Sequence, residues 1–177
     1  MEKLYGTIFD VRRFATHDGD GIRTTVFFKG CPLECAWCHN PESLDCRSEV
    51  AVTESQCIQC EMCVQACPQG LHRTGNGGVV HLHHPTRCTA CGRCEEACPV
   101  GAIRRMGHEM TVAEVLSQVE RDRAYYRMEG GLTISGGEPT EQFDFTLALA
   151  KAASEAGIGV YLETNGTAKR ERYAALL

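Results

Sequence analysis

Apolar and polar side chains alternate through residues 5–11, and residues 23–29 (RTTVFFK) are rich in β-branched and aromatic side chains and closed by Gly30, so both stretches predict β-strands. Further along, the period changes. Thr111 and Glu114 form a T-x-x-E capping box, and Val112, Val115, Leu116, Val119 and Tyr126 fall near one helical face. A helix is therefore expected to run to about Met128 and to stop at Gly130 and Gly131. LTIS (132–135) reads as a short buried strand, 141–156 as a helix ended by Gly157, and IGVYLET (158–164) as another strand. Strand, helix, strand, helix in that order predicts an α/β fold with a parallel sheet and helical crossovers. Residues 47–106 show no comparable pattern and are expected to be an insert between 1–46 and 107–177.

At 177 residues, 43% hydrophobic, with a net charge of -5, the chain suits an ordinary soluble protein with one sizeable core or two small ones, and neither nucleic acid nor a membrane surface is an expected partner. MEKLYGTIFDVRRF lacks the continuous apolar core of a signal peptide, and no later run approaches the ~18 apolar residues of a membrane span. The expected location is the cytoplasm. There, thiols are kept reduced, and the twelve cysteines of this sequence point to metal binding and away from a disulfide scaffold.

Eleven of those cysteines fall into three groups: Cys31, Cys35 and Cys38; Cys57, Cys60, Cys63 and Cys67; Cys88, Cys91, Cys94 and Cys98. Cys46 is left over and is expected to be a free thiol. The second and third groups are an internal repeat, each cysteine lying 31 positions from its counterpart, with Ala66, Pro68 and Gly70 recurring as Ala97, Pro99 and Gly101. The halves span about 48–77 and 79–108. Each is a CxxCxxCxxxCP run, the bacterial ferredoxin spacing for 4Fe-4S clusters held by soft thiolates. In such modules the fourth cysteine serves the other cluster, which assigns Cys57, Cys60, Cys63 and Cys98 to one and Cys67, Cys88, Cys91 and Cys94 to the other. Zinc is the bland alternative, but structural zinc sites pair CxxC knuckles across a wider gap.

The first group, CPLECAWC, offers only three thiolates, so a cubane bound there has one iron free for chemistry unless Cys46 or His39 completes the site. It directly follows a predicted strand, and SGGEP (Ser135–Pro139) closes the next one. Taken together, these segments resemble the radical S-adenosylmethionine (SAM) superfamily. The fold implied is a partial (β/α) barrel with an inserted two-cluster ferredoxin-like α+β module. The resemblance implies three 4Fe-4S clusters, one of them chelated by SAM on Cys31, Cys35 and Cys38. It also implies that Gly136, Gly137 and Glu138 approach the methionine amino group. Glycine permits close backbone approach, and a carboxylate suits an ammonium.

Three further segments resemble the glycyl-radical-enzyme activating enzymes. THDGDGIR (Thr16–Arg23) is similar to the family's DGPGIR, with Asp20 in place of proline, and Asp18 inherits contact with the partner's glycine loop. Trp37, Cys38 and His39 match the segment beside the adenine, although core packing is the alternative reading for Trp37. LETNG (Leu162–Gly166) is similar to LDTNG and places Glu163 and Thr164 at a monovalent cation next to SAM. The activity implied is reductive cleavage of SAM to methionine and a 5'-deoxyadenosyl radical, which abstracts hydrogen from a glycine of a glycyl radical enzyme. The implied electron donor is a flavodoxin or ferredoxin.

A βα unit takes roughly 30 residues, so the sequence outside the insert holds fewer than four units against the family's six, and a C-terminally truncated barrel is expected. A radical SAM enzyme acting on a small molecule and an iron-sulfur electron-transfer module are the alternatives. His81, His83 and His84 form an HxHH cluster with the chemistry to bind metal, but GNGG before it and Pro85 after it favour an exposed hairpin. Arg12, Arg13, Arg104, Arg105, Lys169, Arg170 and Arg172 are expected to be solvated surface.

Overall fold

The computed structural model describes residues 4–81 and 87–176. His83 and His84 lie outside the described residues. The elements in chain order begin with strands β1 (Tyr5–Ala15), β2 (Arg23–Phe28) and β3 (Glu49–Val52), helix α1 (Met62–Ala66), and strands β4 (His72–Gly75) and β5 (Gly78–His81). Then come α2 (Arg93–Glu96), β6 (Ile103–Met106), β7 (His108–Thr111), α3 (Val112–Glu120), α4 (Arg123–Tyr126) and β8 (Gly131–Gly136). The chain closes with α5 (Phe143–Glu155), β9 (Gly159–Leu162) and α6 (Arg170–Leu176). No helix among the described residues is long and apolar enough to cross a membrane.

Two compact units result, Met1–Arg47 with Gly107–Leu177, and Ser48–Met106. The first holds a mixed five-stranded sheet in the order β7-β1-β2-β8-β9. β2, β8 and β9 are parallel, with Arg23 opposite Gly131 and Gly131 opposite Gly159, while β1 pairs antiparallel with both β2 and β7. The crossover from β8 to β9 is α5, as the alternating pattern predicts. β7 escapes sequence detection because its four residues, HEMT, carry no period-2 signal of their own.

Side chains alternate across β2, and the two faces have different chemistry. Val26 and Phe28 join Leu132, Ile134, Val115, Val119, Phe145 and Leu149 in the apolar core beneath α3 and α5. Arg23, Thr25 and Phe27 lie on the other face with Thr133 and Ser135. The Arg23 guanidinium, fully buried, donates to the Thr133 hydroxyl at 2.6 Å and to the carbonyls of Leu132 at 2.7 Å and Glu129 at 3.0 Å, and lies 3.9 Å from the Tyr161 ring centroid.

The helix expected to run to Met128 breaks between α3 and α4. The capping box at Thr111 and Glu114 forms, with Glu114 N–H donating to the Thr111 hydroxyl at 3.2 Å. At Asp122, however, tertiary bonds override helical propensity. Its buried carboxylate accepts two bonds from Arg13 Nε, at 2.9 and 3.0 Å, and one from the Thr24 hydroxyl at 2.8 Å, and Tyr126 Oη stands 2.7 Å from that hydroxyl. Arg13 is thus a partner of a buried carboxylate and not simply solvated. Arg172 likewise donates to the Thr140 carbonyl at 2.7 Å.

The Arg13 guanidinium holds the Asp122 carboxyl below its ordinary range. A carboxyl lowered by folding contributes stability in full above the unfolded value of about 3.9 and loses it as pH falls through the folded value. Asp122→Ala is expected to destabilise the chain at pH 7 by about 1–3 kcal/mol, because the Thr24 hydroxyl loses its buried acceptor. Denaturant unfolding checks this, and the gap from the parent is expected to close in acid.

The second unit repeats itself in its backbone. Gln59 and Ala90, Glu61 and Gly92, and Gly70 and Gly101 are pairs 31 positions apart, and all six residues have positive φ. Glu61 and Gly92 precede α1 and α2, each of which buries the third cysteine of its run, Cys63 and Cys94. β3 pairs antiparallel with β6, and β4 with β5 around the Gly75–Gly78 turn. These elements, of four or five residues, are too short to show a period in the sequence.

Candidate metal centre

Cys31, Cys35 and Cys38 sit on the loop that leaves β2, all half-buried and none in a disulfide. Three bonds in succession close the base of that loop. Lys29 Nζ, on a fully buried side chain, donates to the Glu42 carbonyl at 2.7 Å, Gly30 N–H to the Ser43 carbonyl at 2.7 Å and Cys31 N–H to the Leu44 carbonyl at 3.1 Å. A buried ammonium is tolerated because it is hydrogen-bonded. The 3₁₀ turn Pro41–Ser43 supplies two of the three acceptors. Sequence reasoning missed Lys29, although it immediately precedes the Gly30 that ends the strand.

The SGGEP segment docks directly on this base. Gly137 N–H donates to the Phe28 carbonyl at 2.8 Å and Glu138 N–H to the Gly30 carbonyl at 2.7 Å. A Cβ on Gly137 would stand 2.3 Å from the Gly30 carbonyl oxygen, so this approach requires glycine. Gly136, at φ 108°, would press its Cβ 2.2 Å from the Phe28 nitrogen. The half-buried backbone of these two glycines is what the segment presents at the strand end.

Glu138, in contrast, turns inward and is wholly buried. Its Oε1 accepts from Thr140 N–H at 3.0 Å and the Thr140 hydroxyl at 2.6 Å, and its Oε2 from Asn165 N–H at 2.7 Å. The Thr164 hydroxyl bridges both oxygens, at 2.9 and 2.8 Å. Glu138 therefore ties the end of β8 to the LETNG loop. Asn165, which the sequence reading quoted but gave no role, also sends Nδ2 to within 3.6 Å of Cys31 Sγ. Glu163 and Thr164 are exposed at the same strand ends, and Glu163 Oε2 accepts from the Ser135 hydroxyl at 2.5 Å.

Trp37, at 79% exposure, has no core-packing role, and His39 is exposed beside it. Asp18 is not gathered with these groups. Its Oδ2 accepts from the Thr25 hydroxyl at 2.6 Å and its carbonyl from the Thr133 hydroxyl at 2.7 Å, which places it on the polar face of the sheet toward the N-terminal ends of the strands. Thr25 stands three positions before the end of β2 at Phe28, roughly 10 Å of strand. Asp20 accepts from the Tyr161 hydroxyl at 2.9 Å, an anchor that a proline could not provide.

In the second unit one cleft is lined by Cys57, Cys60, Cys63 and Cys98 with Ile58, Val79, His81, Val100 and Ile103. Burial pushes the Cys63 thiol up, and the neighbouring Cys57 and Cys60 add to it. Cys94 is pushed up to about 11 by burial and then by Cys67 and Cys88. Burial raises Cys98 too, but the backbone N–H groups of Ile103, Val100, Ala102 and Gly101 outweigh it and hold the thiol below its ordinary value. Thiolates crowded in this way repel one another until a cation joins them, and backbone N–H groups aimed at sulfur are suited to an iron-sulfur cluster. The donor set fits such a group. Cys91 and Cys46 are exposed.

His81 lies on the hairpin expected after GNGG, but its own side chain is not exposed. It is half-buried, with Nε2 3.9 Å from Cys57 Sγ and Nδ1 2.9 Å from His72 Nδ1. His72 escaped the sequence reading because a lone histidine carries no spacing signal.

The family described as "4Fe-4S single cluster domain" matches residues 17–173. The chain is 41% identical to the isethionate sulfite-lyase activating enzyme of Nitratidesulfovibrio vulgaris, over 99% of this chain and 58% of that protein. It is 46% identical to the benzylsuccinate synthase activating enzyme of Thauera aromatica, over 89% and 49%. To the trans-4-hydroxy-L-proline dehydratase activating enzyme of Clostridioides difficile it is 43% identical, over 94% and 55%. The chain thus spans about half the length of the curated relatives it matches. In fold it is similar to a crystal structure of QueE from Escherichia coli, with a TM-score of 0.50 and 14% identity over 93% of this chain and 54% of that one.

Proposed function

We propose that this chain, which belongs to the 4Fe-4S single cluster domain family, is the cluster-bearing part of a glycyl-radical-enzyme activating enzyme of the radical SAM superfamily. The observation that carries the reading is the docking of the Gly136–Gly137 backbone on the closed base of the cysteine loop, with the 163–165 loop tied to the same strand end through Glu138. Three relatives named as activating enzymes, each for a different partner, support it. The core is proposed as a partial (β/α) barrel formed by 1–46 and 107–177, with 47–106 as a two-cluster ferredoxin insert.

Cys31, Cys35 and Cys38 would hold three irons and leave the fourth open to SAM. The exposed indole of Trp37 would lie along the adenine, with His39 beside it. Gly136 and Gly137 would offer backbone to the methionine end, with the buried charge of Glu138 behind them. Glu163 and Thr164, both exposed, would meet the ligand and a monovalent cation. Asp18 would receive the partner's glycine loop on the polar face of the sheet. Cys57, Cys60, Cys63 and Cys98 would hold one ferredoxin-type cluster, and Cys67, Cys88, Cys91 and Cys94 the other, fed by a flavodoxin or ferredoxin. Bound in these places, the clusters supply the electron that cleaves SAM to methionine and a 5'-deoxyadenosyl radical, which takes the hydrogen from the partner's glycine.

The test is electron paramagnetic resonance (EPR) on a partner enzyme co-expressed with the full-length activating enzyme. A glycyl radical that requires SAM is the expected result. Cleavage of SAM with no radical on the partner would overturn the activase reading in favour of a small-molecule substrate.

A further inference from the structure

The two halves of the cysteine repeat are alike in spacing and backbone, but the imidazoles of His72 and His81 are not repeated. Thirty-one positions after His72 stands Ile103, and thirty-one before His81 stands Val50, both within the unit. His72 and His81 are cross-strand partners on the β4–β5 hairpin, with ring centroids 4.9 Å apart and planes at 74°. His72 is 6% exposed. Beyond the Nδ1···Nδ1 contact of 2.9 Å, the far nitrogen of His81, Nε2, faces Cys57 Sγ at 3.9 Å.

Two neutral imidazoles that share an Nδ1···Nδ1 hydrogen bond have only two arrangements, since one must donate and the other accept. If His81 donates to His72, its Nε2 lone pair faces the Cys57 sulfur, and a negatively charged thiolate repels it. If His72 donates, the His81 proton sits on Nε2 and points at the sulfur. A metal-bound thiolate therefore selects the second arrangement, with His72 setting the tautomer.

We infer that His81, oriented by His72, donates its Nε2–H to Cys57 and raises the reduction potential of the cluster on Cys57, Cys60, Cys63 and Cys98 above that of its twin. The inference rests on the ferredoxin reading of residues 47–106. Reduction adds negative charge that spreads onto the sulfurs, so an N–H donor stabilises the reduced state more than the oxidised one. His81 touches a ligand of the cluster, and His72 is a positioning residue that acts through it. The pair thereby makes two clusters of one repeat unequal, and the second serves as an internal reference.

The experiment is an EPR-monitored redox titration of the anaerobically reconstituted chain, comparing the parent with His81→Leu, His81→Gln and His72→Phe. In His81→Leu, one of the two ferredoxin-type midpoints is expected to fall, so that its oxidised-to-reduced ratio at fixed potential rises about tenfold, which is 59 mV for one electron. The other midpoint stays in place. His81→Gln, which keeps a side-chain N–H donor, recovers part of the shift, and His72→Phe gives a smaller fall.

If both midpoints stand still in His81→Leu with its irons intact, the inference is overturned and the ferredoxin reading survives. The thiol of Cys63 and ring nitrogens of His72 and His81 lie within 4.8 Å of one another. One zinc there in the parent, in place of about four irons, would overturn both. Should His81→Leu lose iron, His72→Phe decides: its imidazole at Cys57 remains but is free to turn, and an unmoved midpoint would overturn the inference.

Discussion

Gly137→Ala is expected to lose about four of the roughly twelve irons and every spectroscopic response to SAM, while the ferredoxin-type signals persist. The added methyl would lie 2.3 Å from the Gly30 carbonyl oxygen and 3.1 Å from that of Ser43, and both are backbone atoms that no rotamer change can move aside. Relief requires the end of β8 to separate from the end of β2. That breaks the Glu138 N–H bond to the Gly30 carbonyl and disturbs the Gly30–Ser43 and Cys31–Leu44 bonds that close the cysteine loop. Overpacking of this kind typically costs 1–3 kcal/mol, and here the strain falls on the residue before the first ligand. Iron and sulfide quantitation with EPR, recorded with and without SAM, reads the result. Retention of all irons with an unchanged SAM response would refute the close-docking account of this glycine.

Glu138→Gln is expected to weaken SAM binding tenfold or more while leaving the iron content near that of the parent. The Glu138 carboxylate accepts from Thr140 N–H on one oxygen and Asn165 N–H on the other, and the Thr164 hydroxyl spans the two. An amide has a single acceptor oxygen. Whichever way it turns, its NH₂ confronts one of those backbone donors, and an unsatisfied buried group costs about 1–3 kcal/mol. Tenfold in affinity corresponds to about 1.4 kcal/mol, within that range. The loss should appear in the 163–165 loop, which Glu138 secures, and not in the clasp at Glu42, Ser43 and Leu44, which it does not touch. Titration of SAM against the EPR signal measures it, and unchanged affinity would mean that the loop holds its place without Glu138.

These two residues illustrate different limits of sequence reading. For Gly137 the sequence points to close backbone approach to a ligand, and the structure shows close approach to the Gly30 and Ser43 carbonyls, a contact the sequence did not name. The sequence points to Glu138 as a site residue but does not give its orientation. A carboxylate reads as a group offered to an ammonium, yet the structure buries it against Thr140, Thr164 and Asn165, of which only Thr164 had been assigned a part. Asp18 sits against Thr25 and Thr133 on the polar face, a placement that its motif could not convey.

The same division holds for the fold. The parallel strands, the α5 crossover and the Thr111 cap were readable because each rests on a period or spacing carried by consecutive residues. The break at Asp122 was not, because Arg13 and Thr24 come from 109 and 98 positions away.

By itself, the sequence determined the supply of donors: eleven thiols in three groups, a duplication of 31 residues, and glycines where strands must end in close contact. Such features are local, since ligand spacing and backbone freedom belong to neighbouring residues. The repeat also grouped Cys98 with Cys57, Cys60 and Cys63, and one cleft holds all four. Only the tertiary structure decided the contacts that no spacing carries: it set His72 behind His81, and turned Glu138 inward and Lys29 beneath the cysteine loop. Those pairings depend on strand register and burial, which fix the direction of a side chain only once the sheets have formed.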